Sequence, residues 1–302
     1  MLLWVETRFD HCAEQVYPGS TEVKYMSQLI NAAQLVDLAQ FPIDQLDSRA
    51  GLAFAQKCRQ QYIETGLCML PGFIRPEALN ALAEEANGFS DQAFFCKNTH
   101  NAYLTEDDPE LAQGDVAKRQ LQTYVGSVPY DRIGPETRLR QLYLWDPLKD
   151  FIGFVLGKNQ LHRFADPLGA CSVNVFVDGG EHGWHFDESE FTVTIMLQAP
   201  ETGGVFEYLP LIRGLDNEKA LVQQVLDGNR EGVQELPFTA GTLLVFGGRQ
   251  TIHRVTRVGG TQPRLVPVLC YSEQPDLKNS ESVRKLFWGR IGDEVEATGV
   301  SA

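Results

Sequence analysis

Two hydrophobic regimes divide this 302-residue chain. Up to about residue 160 the clear patterns are helical. "SRAGLAFAQKCRQQYIETG" (48–66) predicts a helix with Ser48 as N-cap and Gly66 as its stop. The apolar run "LCMLPGFI" predicts a short strand or extended segment. "RPEALNALAEEANG" (75–88) predicts a second helix, with Pro76 in the first turn, Leu79 and Leu82 on one face and Gly88 at the end. From Asp91 to Pro135 no period is visible, so long loops over the core are expected there. "TRLRQLYLWDPLKDFIGFVLG" (137–157) predicts one or two helices ending at Gly157. Residues 1–45 carry no readable pattern.

Beyond residue 160 short β-branched runs alternate with Gly and Pro. They are "ACSVNVFVDGG" (170–180), "FTVTIMLQA" (191–199), "GVFEYLP" (204–210), "GTLLVFGG" (241–248), "HRVTRV" (253–258) and "RLVPVLCYSE" (264–273). This pattern predicts a β-sandwich or barrel. One helix interrupts it at 215–228, with Leu221, Val222, Val225 and Leu226 as its apolar stripe, Asp216 as N-cap and Gly228 as stop. The expectation is one domain over 1–302, mainly β with flanking helices. Its helical part covers about 1–160, its β core about 160–275 and a C-terminal lid or helix about 276–302. The N-terminal helices should pack on one sheet.

Composition narrows the function classes. A hydrophobic content of 43% supports a large core. No apolar run approaches the ~20 residues of a membrane helix, and "MLLWVETRFDHC" has no signal-peptide layout. A soluble, cytoplasmic protein is expected. The six cysteines, Cys12, Cys58, Cys68, Cys96, Cys171 and Cys270, form no CxxC pair and read as scattered thiols. The net charge of −14 argues against nucleic acid, whose phosphates demand clustered Lys and Arg.

The candidate chemistry lies in "EHGWHFDESEF", from Glu181. In an extended strand His185 and Asp187 share a face while Phe186 turns away. One histidine lies downstream, His253, at the mouth of a predicted strand. Two His and a carboxylate on one side of an ion leave its other positions open, as in the facial triad of non-haem Fe(II) oxygenases. Arg264 follows His253 on the next predicted strand, where a guanidinium can clamp a carboxylate bidentately.

The set His185-x-Asp187…His253…Arg264 resembles the Fe(II)/2-oxoglutarate-dependent oxygenases of the double-stranded β-helix (jelly-roll) fold. The stretches "ADPLGACSVNVFVDGGEHGWHFDESEFTVTIMLQAPETGGVFEY" and "GTLLVFGGRQTIHRVTRVGGTQPR" look like the branch of free amino acid hydroxylases and halogenases. The resemblance covers roughly residues 45–290. It implies that His185, Asp187 and His253 hold Fe(II) and that Arg264 anchors 2-oxoglutarate. With O2, an unactivated C–H bond of a small molecule, an amino acid or its derivative, is then oxidised. Halogenases of this branch carry a small residue at the Asp187 position to admit halide, so the resemblance implies hydroxylation here. Oxidative cyclisation or desaturation, as in kainoid synthases, is the alternative.

Further residues are expected around the substrate. His182 lies in the loop before His185, and Glu188 can meet a substrate amine. Arg119 can meet a substrate carboxylate, and Trp288 can fold over the site as a lid. Asn174, between Val173 and Val175, is expected to face the barrel interior and 2-oxoglutarate, and Arg254 to point away from it. The run "LVPVLCY" after Arg264 is more apolar than in amino acid-specific relatives and favours a substrate with an alkyl or prenyl-like portion over free lysine. Two other classes compete. A zinc hydrolase suits the ligand set but leaves Arg264 without a role. A non-catalytic cupin-like barrel leaves the whole set without one. Oligomeric state is not legible.

Overall fold

The computed structural model describes residues 31–106 and 108–292. The outer parts of the expected 1–302 domain, with Cys12, lie outside the described residues. Helix α1 (Arg49–Thr65) starts where Ser48 Oγ accepts the Gly51 N–H at 3.0 Å and stops at Gly66, whose φ of +74° suits glycine. Helix α2 (Pro76–Gly88) has its proline in the first turn. The 137–157 stretch gives two helices, α3 (Arg138–Leu144) and α4 (Asp146–Leu156), broken at Trp145. Phe54 of α1 stacks on Phe151 of α4 at 5.8 Å, joining the helices into one layer.

Among the described residues the main sheet has eleven strands. They are β1 (Leu67–Leu70), β2 (Phe94–His100), β3 (Leu121–Val128), β4 (Cys171–Phe176), β5 (Glu181–His185) and β6 (Thr192–Ile195). Then come β7 (Phe206–Leu209), β8 (Gln234–Leu236), β9 (Leu243–Phe246), β10 (Ile252–Val255) and β11 (Arg264–Leu269). The order is β1-β9-β6-β11-β4-β3-β5-β10-β7-β8, with β2 on the far edge of β3 and every pairing antiparallel. Strand β3 turns the corner: Gly126–Val128 pair with β4, and Thr123 and Tyr124 pair with β5. The sheet therefore curls into two facing halves, a double-stranded β-helix.

Period-two alternation sorts the side chains into layers. On β9, Leu243 and Val245 join the helices in one core, while Leu244 and Phe246 face inward with Phe176, Phe206 and Val255. Strand β4 sends Val173 and Val175 outward to the helices, as expected of the residues flanking Asn174. The opposite half-sheet buries Trp184, Phe186 and Ile252 under helix α5 (Glu218–Leu226), through Val222, Val225 and Leu226. Asn217, not Asp216, caps α5, and it does so without a side-chain bond. A last helix, α6 (Glu281–Trp288), is capped by Ser280.

Two expectations fail. The 91–135 stretch is not only loops, because β2 and β3 lie in it. Strand β2 is an edge that buries only Cys96, so its sequence has no apolar period, and β3 carries Gly126 and polar residues. His182 also lies elsewhere than expected. It sits within β5, which ends at His185, instead of in a loop.

Candidate active site

His185 and His253 are direct cross-strand partners on β5 and β10. Asp187 follows β5, its N–H on the Gly248 carbonyl at 3.1 Å. Phe186, between them, is fully buried on the other side with Trp184. The Oδ1 of Asp187 lies 3.4 Å from His185 Nε2 and 3.5 Å from His253 Nε2. Both imidazoles are held in the same way. Nδ1 of each faces the carbonyl two residues back, Gly183 at 2.7 Å and Thr251 at 2.9 Å. A donating Nδ1–H fixes the tautomer and turns the Nε2 lone pair to Asp187 Oδ1.

Charge agrees with geometry. Burial, then neighbouring His253, pushes His185 down to about 4, so it is neutral near pH 7. Burial works against ionisation of Asp187, yet His253 and His185 outweigh it and hold the carboxyl well below its usual range. The two Nε2 atoms and one carboxylate oxygen, within 4.8 Å of one another, form a donor set suited to a divalent cation.

The carboxylate has a built seat. Thr192 Oγ1 donates to Asp187 Oδ2 at 2.6 Å, which leaves Oδ1 for the imidazole side. Gly248 makes the room, since a Cβ there would stand 1.9 Å from Oδ2. Neither residue was singled out in the sequence. The available signal was alternation on β6, which places Thr192 and Thr194 on the inner face.

These groups open onto a cavity of about 740 Å³ between the two half-sheets. Arg264 lines it at 2% exposure, its guanidinium over the rings of Phe176 and Phe238 at 5.1 and 5.8 Å. Its Nε has no hydrogen-bond partner, and burial alone pushes its pKa down to about 9. A buried cation with no counter-charge demands an anionic ligand. Asn174, Val266 and Val268 line the same space.

His182 stacks on His185 at 3.8 Å between centroids and meets Phe287 edge-on at 6.5 Å. Burial, then the neighbouring imidazoles, keeps it neutral. His100, bonded to Thr123 Oγ1 at 2.6 Å, completes the ring cluster and had not been expected there. Trp288 lines the cavity, its indole N–H on Ser127 Oγ at 3.0 Å. Glu188 stands on the lining too. Arg119 does not: its guanidinium binds Asp227 and the Leu226 carbonyl beside α5. Arg254 points outward, as expected, to Glu207 at 2.7 Å and over Trp184.

Comparison with known proteins adds the following. No curated protein matches the chain. AviO1 from Streptomyces viridochromogenes Tue57 is similar at 16% identity, covering 75% of this chain and 97% of that one, with a TM-score of 0.50. The non-heme alpha-ketoglutarate-dependent carbocyclase SnoK from nogalamycin biosynthesis is similar at 14% identity, covering 72% and 83%, also with a TM-score of 0.50. These likenesses are likenesses of fold. The family Halogenase D matches residues 52–286, which span both half-sheets, the triad and Arg264. The chain belongs to the Halogenase D family.

Proposed function

We propose that this chain is an Fe(II)- and 2-oxoglutarate-dependent oxygenase that hydroxylates an unactivated C–H bond of a small molecule, an amino acid or amino acid derivative. One observation carries the reading. The uncompensated Arg264 guanidinium lines the same chamber as the His185–Asp187–His253 donor set. A zinc hydrolase needs the triad but not the arginine, and a non-catalytic barrel needs neither.

Iron held by the triad, with 2-oxoglutarate and O2, supplies an oxidant strong enough for such a bond. The protein's own part is placement. His185 and His253 present Nε2, and Thr192 turns Asp187 so that one oxygen ligates. Arg264 takes the distal carboxylate of 2-oxoglutarate, with Asn174 on the same wall. Phe206, Phe246 and the apolar face of α6 keep water from the centre. Val266 and Val268 give the chamber an apolar wall, which suits an alkyl portion of the substrate. His182, Glu188 and Trp288, on the lining, would touch that substrate. The seat built for Asp187 supports hydroxylation over halogenation, because the carboxylate occupies the position a halide needs.

Anaerobic addition of Fe(II) and 2-oxoglutarate should give a visible metal-to-ligand charge-transfer band, and oxygen should then release succinate. Absence of both sinks the proposal. Product mass separates the outcomes, since hydroxylation adds one oxygen whereas cyclisation or desaturation removes two hydrogens. Arg264→Ala should weaken 2-oxoglutarate binding by about 1.5–3 kcal/mol, the worth of a charged hydrogen bond, read as a shift in the titration of that band.

A further inference from the structure

A substrate of the amino acid class carries an anionic group, and the main chamber offers it no cation of its own. Among the described residues the only guanidinium or ammonium on that lining is Arg264, which 2-oxoglutarate needs. A second cavity of about 490 Å³ adjoins it. The two share Leu104, Thr105, Asp187 and Glu188, so they meet at the carboxylate of the triad. Arg213 and Arg249 both line this smaller space.

Neither arginine forms an ion pair among the described residues, although the chain carries a net charge of −14. Aromatic faces hold Arg213: its guanidinium lies 4.9 Å from the Phe186 ring centre and 5.6 Å from that of Tyr103. Arg249 is fixed by Nε and Nη2, which both donate to the Glu188 carbonyl and leave Nη1 free of that bond. Two guanidinium groups at one cavity, Arg213 half-buried and Arg249 exposed, suit a planar or tetrahedral oxyanion. An independent observation points the same way. The Tyr103 hydroxyl, on the same lining, is buried, with the Glu218 carboxylate as a loose acceptor. Burial, then Glu218, raises its pKa, so it remains a donor. Glu218 itself accepts the Gly214 N–H at 2.6 Å.

We propose that Arg213, Arg249 and Tyr103 form an anion subsite that takes the carboxylate or phosphate group of the substrate. Its role in turnover rests on the oxygenase reading; its capacity to bind an oxyanion does not. Glu188, on the wall common to both cavities, is then placed for an ammonium group of the same molecule.

The test uses the full chain without metal and follows inorganic phosphate, with acetate in parallel, by calorimetry. Wild type should bind at least one, and the tighter of the two names the group. Arg213→Gln and Arg249→Gln should each weaken binding by about tenfold or more, the loss of one charged hydrogen bond. Arg213→Lys should restore part of it, and the same losses should appear in an Arg264→Gln background, where the guanidinium of the main chamber cannot take the anion. No binding to the Arg264→Gln protein, or binding there that neither Arg213→Gln nor Arg249→Gln weakens, overturns the proposal. The charge-transfer band should survive in both glutamine variants. An intact band without anion binding removes the subsite alone, and anion binding without a band in wild type removes the oxygenase reading alone.

Discussion

Asp187 stands between two neighbours that leave it one orientation. Thr192 holds Oδ2, and Gly248 supplies the clearance that any Cβ would fill. A partner that orients a ligating group changes metal affinity about 10–100-fold when removed. Thr192→Val should therefore weaken Co(II) binding, titrated spectroscopically, by about tenfold or more, and Thr192→Ser should restore it. Gly248→Ala should abolish tight binding while the far-ultraviolet signature of the fold persists. Wild-type affinity in Gly248→Ala would show that Asp187 does not sit in this seat. The triad was legible because period-two geometry pairs His185 with Asp187 and because one histidine lies downstream. Thr192 and Gly248 were not, since a threonine in a β-branched run and a glycine before a strand are ordinary there. Arg213 and Arg249 were equally silent, being single basic residues in polar loops that only the tertiary fold brings to one cavity.

At the scale of elements, α6 roofs the chamber, and it is fastened at both ends. Asp166, 1% exposed, accepts from the backbone and side-chain nitrogens of Asn279, each at 2.8 Å, just before the helix. Trp288 closes the other end on Ser127. Asp166→Ala leaves those donors unsatisfied, along with the N–H groups of Leu168 and Gly169. A cost of about 1–3 kcal/mol is expected for such losses. Hydrogen exchange should then quicken across residues 279–288 while Co(II) affinity stays unchanged. Unchanged protection would mean that other contacts hold the roof. Strong signals made most elements readable: caps at Ser48, Gly66 and Gly157, an apolar stripe on α5, and β-branched runs on β4, β6, β9 and β11. The failures share a cause. Strand β2 has solvent on most of its side chains, and β3 changes partners midway, so neither imposes a binary pattern. The corner of the fold thus lay in the stretch that looked structureless.

The whole molecule sets the protonation of its centre. Two half-sheets, with helices outside each, bury His185 and largely screen His100 and His182 from water. Burial lowers the pKa of all three, and for His182 and His185 nearby imidazoles add to it, taking His185 to about 4. In the unfolded chain each titrates near 6.5. Below about pH 6.5 the unfolded state therefore binds protons that the native state refuses, and stability falls as pH drops toward 4. Each group contributes a slope of up to about 1.4 kcal/mol per pH unit within that window. Asp187 acts with the same sign but lower: its stabilisation is present above the unfolded carboxyl value near 3.9 and is lost below it. A bound metal would add its own pH-dependent stability, so the measurement belongs to the metal-free chain. Its melting temperature should fall steadily from about pH 7 to pH 5, and His100→Gln should flatten that slope by removing one buried imidazole. A flat profile in the wild-type chain would mean that the histidines are already protonated in the fold, and the donor set would then not be ready for a cation.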